Sequence, residues 1–97
     1  MERVIYLNNL FDIYKDLLTD KQILYFKEYY FNNLSYGEIA LKYDISRNAI
    51  FRQLKIITEK LIFFEEKLKI YDKKIRINDI MKLNSIERIK KELDNLF

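Results

Sequence analysis

The chain has no cysteine, no histidine, no proline and no tryptophan, and a single glycine in 97 residues. Without cysteine there is no disulfide framework and no thiolate metal site. Without histidine, catalytic triads, most zinc sites and the usual acid–base group near neutral pH drop out together. The shortage of proline and glycine says most about the fold. Strand-rich chains need turn residues about every ten positions, so this chain is expected to be all-α. No apolar run approaches the roughly 20 residues of a membrane-spanning helix. The opening "MERVIYLNN" lacks a signal-peptide core, so a cytoplasmic location is expected. No glycine-rich phosphate loop is present. Glu65 and Glu66 are adjacent, which on a helix sets them about 100° apart and keeps them from sharing a site. No catalytic, metal or cofactor site is expected, and the chain does not read as an enzyme.

What is present is 49% apolar and 34% charged residues, with fifteen Phe and Tyr. That composition suits one globular domain over residues 1–97. The formal charge of +3 permits an anionic partner without requiring one. Val4, Leu7, Phe11, Tyr14 and Leu18 recur at helical spacing. Thr19 with Gln22, and Ser35 with Glu38, have the spacing of capping boxes, so helices are expected to start there. The first of these ends near "FNNL", where asparagine can take a left-handed cap. The second ends near Tyr43.

Ser46 caps the next helix after only two residues, Asp44 and Ile45. Within it Ile50, Ile57, Phe64 and Tyr71 recur every seven residues, and so do Leu54, Leu61, Leu68 and Ile75. This heptad stripe predicts one long helix over about 46–74, spanning roughly 40 Å. The stripe can form a dimer seam through Leu54, Ile57, Leu61, Phe64, Leu68 and Tyr71, or it can be covered within the chain. In a parallel dimer Lys60 would face Glu65 of the second copy, and Lys67 would face Asp72. A second apolar line, Ile56, Phe63, Ile70 and Ile77, lies away from the stripe and implies a second neighbour. The pattern is poor between Arg76 and Asn84, where a bend or loop is expected. A C-terminal helix follows at about 84–96, with Ile86, Ile89, Leu93 and Leu96 on one face and Asn84 or Ser85 as cap.

The stretch "SYGEIALKYDISRNAIFRQL" has the parts of a helix-turn-helix, within a core at about 18–56. Ala40 is small enough for a second helix to cross closely. Asp44 is tolerant of positive φ, and Ile45 is the apolar residue that follows the turn. Ala49, Ile50 and Leu54 face inward. The opposite face then presents Ser46, Arg47, Asn48, Phe51, Arg52 and Lys55 as a base-reading surface, since recognition helices dock by their N-terminal half. Arginine and asparagine can pair with guanine and adenine edges, and Phe51 can meet thymine methyls. Ser35, Tyr36 and Lys42 are placed to meet phosphates. The plain alternative is a solvated basic face. From Thr19 to Lys55 six basic residues stand against four acidic ones, which predicts weak phosphate-driven affinity for one chain.

The segment from Leu18 to Leu54 resembles the promoter-reading C-terminal domain of sigma factors. A closer resemblance, over about Leu7 to Asp72, rests on "LFDIYKDLLTDKQ", "LSYGEIA", "ISRNAI" and "ITEKL…FEEKL" in order and at matching spacing. These segments are similar to the YlxM-like family of small helix-turn-helix proteins. The resemblance implies a DNA-binding regulator linked to the signal recognition particle pathway, because genes of the family neighbour those of the particle. The family tends to have a small polar residue where Asp44 stands, often tyrosine at Phe51 and an acidic residue at Arg52. The expected partner is double-stranded DNA, bound by a homodimer. The rival is an interaction module that contacts the particle's RNA or its GTPase, through a basic patch at Lys67, Lys69, Lys73, Lys74 and Arg76.

Overall fold

The computed structural model of the chain describes residues 2–82 and 86–96, except the side chains of 86–89. Its elements are α1 (Glu2–Tyr14), a 3-10 turn (Lys15–Leu17), α2 (Asp20–Tyr30), α3 (Tyr36–Tyr43), α4 (Arg47–Leu68), α5 (Ile70–Met81) and α6 (Ile86–Leu96). No strand occurs among the described residues. The fold is all-α.

Both capping boxes form. Thr19 Oγ1 accepts the Gln22 N–H at 3.2 Å, and Gln22 Oε1 accepts the Thr19 N–H at 3.0 Å. Ser35 and Glu38 make the same exchange at 3.1 Å in each direction. Each box satisfies N–H groups that a helix start leaves without partners. After α2 the chain turns at Asn33, whose φ of 60° is left-handed. α1, α2 and α3 pack on α4 around Leu7, Leu10, Phe11, Phe26, Ile39, Ile50, Ile57 and Leu61. Phe11 and Phe26 stack at 4.2 Å between centroids. Burial of each such side chain contributes about 1.5–3 kcal/mol against the entropy of ordering it.

The long helix expected over 46–74 is two helices. Lys69 breaks it with φ 53° and ψ 34°, in the left-handed region. That conformation costs a residue with a Cβ roughly 1–2 kcal/mol. The compensation comes from elsewhere in the chain. Ile70 N–H donates to Tyr14 Oη at 3.2 Å, Tyr71 N–H to Glu65 Oε1 at 3.0 Å, and Asp72 N–H to Glu65 Oε2 at 3.0 Å. Tyr14 Oη itself donates to Glu65 Oε1 at 2.6 Å. A carboxylate 8% exposed thus caps α5 from the helix before it, where the α5 dipole also favours negative charge. Burial, then the bond to Glu65, push the Tyr14 hydroxyl up to about 12. α5 is thereby held beside α1, with the Tyr6 and Tyr71 rings edge to face at 5.5 Å. Of the stretch where a bend or loop is expected, the part through Met81 is helix, Lys82 is a turn, and 83–85 lie outside the described residues.

The seam is largely occupied inside the chain. Leu54, Ile57 and Leu61 are core, Phe64 packs near Tyr14, and Tyr71 meets Tyr6. Of the six, Leu68 is the one left exposed. Glu65 is turned inward, so the pairing of Lys60 with a second copy's Glu65 has no basis in this fold. The second apolar line is exposed at Ile56, Phe63 and Ile70 and half-buried at Ile77. α6 packs on α5. Leu93 and Leu96 are half-buried, while the expected caps Asn84 and Ser85 and the side chains of Ile86 and Ile89 lie outside the described residues. The α5–α6 arm makes the molecule long: 57 × 22 × 18 Å, with a radius of gyration of 17.4 Å, against about 12.5 Å for a compact chain of this length.

Candidate nucleic-acid interface

α3 and α4 are joined by three residues, each with one task. Asp44 takes φ 54° and ψ 50°, and its N–H returns to the Ala40 carbonyl. The Ile45 N–H reaches the same carbonyl at 3.0 Å. Ser46 Oγ accepts the Ala49 N–H at 3.0 Å and starts α4. Ala40, 7% exposed, sits where the two helices meet. The positive φ expected of Asp44 and the crossing expected at Ala40 are both present.

α4 buries Ile50 and Leu54 and leaves Arg47, Asn48, Phe51, Arg52 and Lys55 exposed. Ser46 is exposed too, but its hydroxyl is engaged as the cap. Ser35, Tyr36, Gly37, Arg47, Asn48 and Phe51 line one groove of about 360 Å³. The start of α3 and the start of α4 therefore share a surface. Arg52 and Lys55 continue it along α4. None of Arg47, Arg52 and Lys55 makes an ion pair or a side-chain hydrogen bond among the described residues.

Gly37 explains itself through Arg47. A Cβ placed on Gly37 would stand 2.6 Å from Arg47 Nη2 and 2.8 Å from Nε. The guanidinium occupies the space that glycine leaves, so Arg47 lies back against the first turn of α3. The close neighbour that needs glycine here is a side chain, not a backbone. Because that side chain is flexible, Gly37→Ala is expected to keep the fold. Alanine is the better helix former by up to about 1 kcal/mol. The melting temperature should stay level or rise slightly, while the Arg47 Nε resonance moves as the guanidinium swings away. A melting temperature several degrees lower would show that Arg47 is fixed in place.

Lys42 is not available to phosphate in the way its position suggests. Its Nζ pairs with Glu28 Oε2 at 2.7 Å. Glu28, 3% exposed, also accepts from Tyr43 Oη at 2.7 Å and from Asn32 Nδ2 at 2.6 Å. Lys42, then Tyr43 and Asn32, hold the Glu28 carboxyl down to about 2 from its ordinary 4.5. A carboxyl lowered on folding stabilises the fold above its unfolded pKa and loses that contribution as pH falls through the folded one. The melting temperature is therefore expected to drop between pH 4.5 and 2. Glu28→Gln should flatten that part of the profile, and an unchanged profile in the variant would place the acid sensitivity elsewhere.

Two further features of this surface lie outside the site expected from the sequence. The aromatic run "YFKEYYF" is divided: Tyr25 and Phe26 enter the core, while Tyr29 and Tyr30 are half-buried. Tyr29 stacks on Tyr36 at 5.0 Å, and Tyr36 meets Phe51 edge to face at 5.8 Å. The Tyr29 hydroxyl as hydrogen-bond partner, then burial, push Tyr36 up to about 12. Arg3, from the first turn of α1, also reaches this surface. The spacing of Tyr29 and Tyr30 from Tyr25 and Phe26 marks them as the rim of the same helical face, but nothing local points to Arg3.

Residues 1–96 match the UPF0122 family, described as "Putative helix-turn-helix protein, YlxM / p13 like". A UPF0122 protein of Ureaplasma parvum serovar 3 is 43% identical over 90 residues, covering 92% of this chain and 91% of its own. One from Ureaplasma urealyticum serovar 10 is 42% identical over the same coverage. One from Bacillus velezensis is 42% identical over 66 residues, covering 68% of this chain and 60% of its own.

Proposed function

Because the chain belongs to the UPF0122 family of YlxM/p13-like helix-turn-helix proteins, we propose that it is a cytoplasmic DNA-binding regulatory protein, acting in or on the signal recognition particle pathway. It works by binding, with no reaction catalysed. One observation carries this reading. The Asp44–Ser46 turn sets an exposed face of Arg47, Asn48, Phe51, Arg52 and Lys55 beside the start of α3, and the three cations on it make no ion pair among the described residues. In a major groove, Asn48 and Arg52 would meet base edges and Phe51 thymine methyls. Arg47, folded toward α3, and Lys55 would meet phosphates, as would the Tyr36 N–H, whereas the Ser35 N–H is taken by Glu38. The link to the targeting pathway is carried by the family resemblance.

The test compares wild type with Arg47→Ala/Arg52→Ala on duplex DNA, the particle's RNA and its GTPase across a salt series. A reader of DNA should prefer some duplexes over others and lose that preference in the double variant. The slope of log affinity against log salt should fall by about 1 for each phosphate contact removed. Equal binding to any duplex argues against specific readout. Tight RNA or GTPase binding that the double variant leaves untouched turns the reading toward an interaction module.

A further inference from the structure

Beside the groove of the proposed reading face, and sharing Tyr36 and Phe51 with it, is a second cavity of about 220 Å³. Arg3, Tyr29, Tyr30, Tyr36, Phe51 and Lys55 line it, over a floor of Leu54 and Thr58. We propose that it holds one unpaired nucleotide of a bound nucleic-acid strand, the base against the aromatic rings and its phosphate between Arg3 and Lys55.

Three observations converge on that ligand. The rings form one aromatic wall: Tyr29 and Tyr36 stack on each other at 5.0 Å and 14°, with Tyr30 edge to face with Tyr29 at 83° and Phe51 with Tyr36 at 77°. Such a wall suits a flat ring system, and every base has a π face to offer it. The charge is one-sided. Among the described residues no acidic side chain lines the cavity, and neither Arg3 nor Lys55 has an ion pair. Purely structural aromatic packing needs no such cations. The size is small against the roughly 300–1,000 Å³ of pockets for whole small molecules, which favours a single base over a larger cofactor. Phe51 belongs to both this cavity and the neighbouring groove. A strand leaving a duplex at the start of α4 would meet the rings next.

The inference rests on the DNA reading only for the strand that delivers the nucleotide, so the test has two arms. In the first, adenosine 5′-monophosphate is titrated into the full chain and followed by NMR. Shifts at Tyr29, Tyr36 and Phe51 are expected, larger than with adenosine or inorganic phosphate alone. In the second, one duplex is compared with the same duplex carrying a single bulged 2-aminopurine, as DNA and as RNA. The bulged form should bind about tenfold tighter, on the usual worth of one base–aromatic stack, with the 2-aminopurine fluorescence quenched. Arg3→Gln and Phe51→Ala should each bring the bulged-to-paired ratio toward one; both side chains are exposed, so the fold should survive. Paired duplex bound as tightly as bulged, with no nucleotide shifts, overturns the pocket and leaves the DNA reading standing. Nucleotide shifts without any duplex binding support the pocket and sink the DNA reading. A bulge preference in RNA alone keeps the pocket and identifies the strand.

Discussion

Glu65→Ala is expected to release α5 from its seat on α1 and α4. The substitution leaves the Tyr14 hydroxyl and the Tyr71 and Asp72 N–H groups without their acceptor. Stranding the buried Tyr14 hydroxyl costs about 1–3 kcal/mol, and the two part-buried amides, which water can reach, cost less, so the loss is about 3 kcal/mol in all. For a domain of this size that is a fall of about 15 °C in melting temperature. Exchange of the amides at 70–72 should speed up about a hundredfold. Glu65→Gln keeps one acceptor oxygen and should lose less. Tyr14→Phe should be non-additive with Glu65→Ala, since the two share a bond. Alkali attacks the same junction. Tyr14 is raised to about 12, so its contribution is complete below pH 10 and disappears as pH rises from 10 through 12. Unchanged amide protection at 70–72 in Glu65→Ala would mean that something else caps α5.

Ala40→Leu is expected to damage both the fold and the reading face. Ala40 is core, and its carbonyl receives the two N–H groups that close the turn. A larger side chain there must push α3 from α4 or leave its rotamer, at a cost of about 1–3 kcal/mol. Relief comes by tilting α4, which carries Arg47, Asn48, Phe51 and Arg52 with it. Duplex binding should therefore fall further than the melting temperature implies, and the amide shifts of 47–55 should move as a group. A variant that loses stability but binds like wild type would show that the crossing does not set the face.

The contrast between these two junctions explains what the sequence made legible. The turn at Asp44 is built from neighbours: cap, tolerant residue and small crossing residue lie within ten positions, so pattern reading finds them. The break at Lys69 is built from Tyr14 and Glu65, 51 residues apart. The heptad pattern runs straight through it, and a lysine is no turn signal. Gly37 stands out in the sequence only as the single glycine, and its reason is not local, because the first turn of one helix is filled by a side chain of the next. Lys42 looked free because Glu28 lies 14 positions back, on another helix. Local chemistry announces caps and turns; partners brought together by packing have to be seen.

The arm of α5 and α6 has a consequence for how this molecule travels through a solvent. Friction on a rod-like particle exceeds that on a sphere of equal mass, so a single 12.0 kDa chain elutes from a sizing column with heavier globular standards. Elution volume alone therefore overstates the mass of the monomer. The number of copies in solution has to be taken from mass itself, by light scattering or sedimentation equilibrium, where shape drops out of the equation.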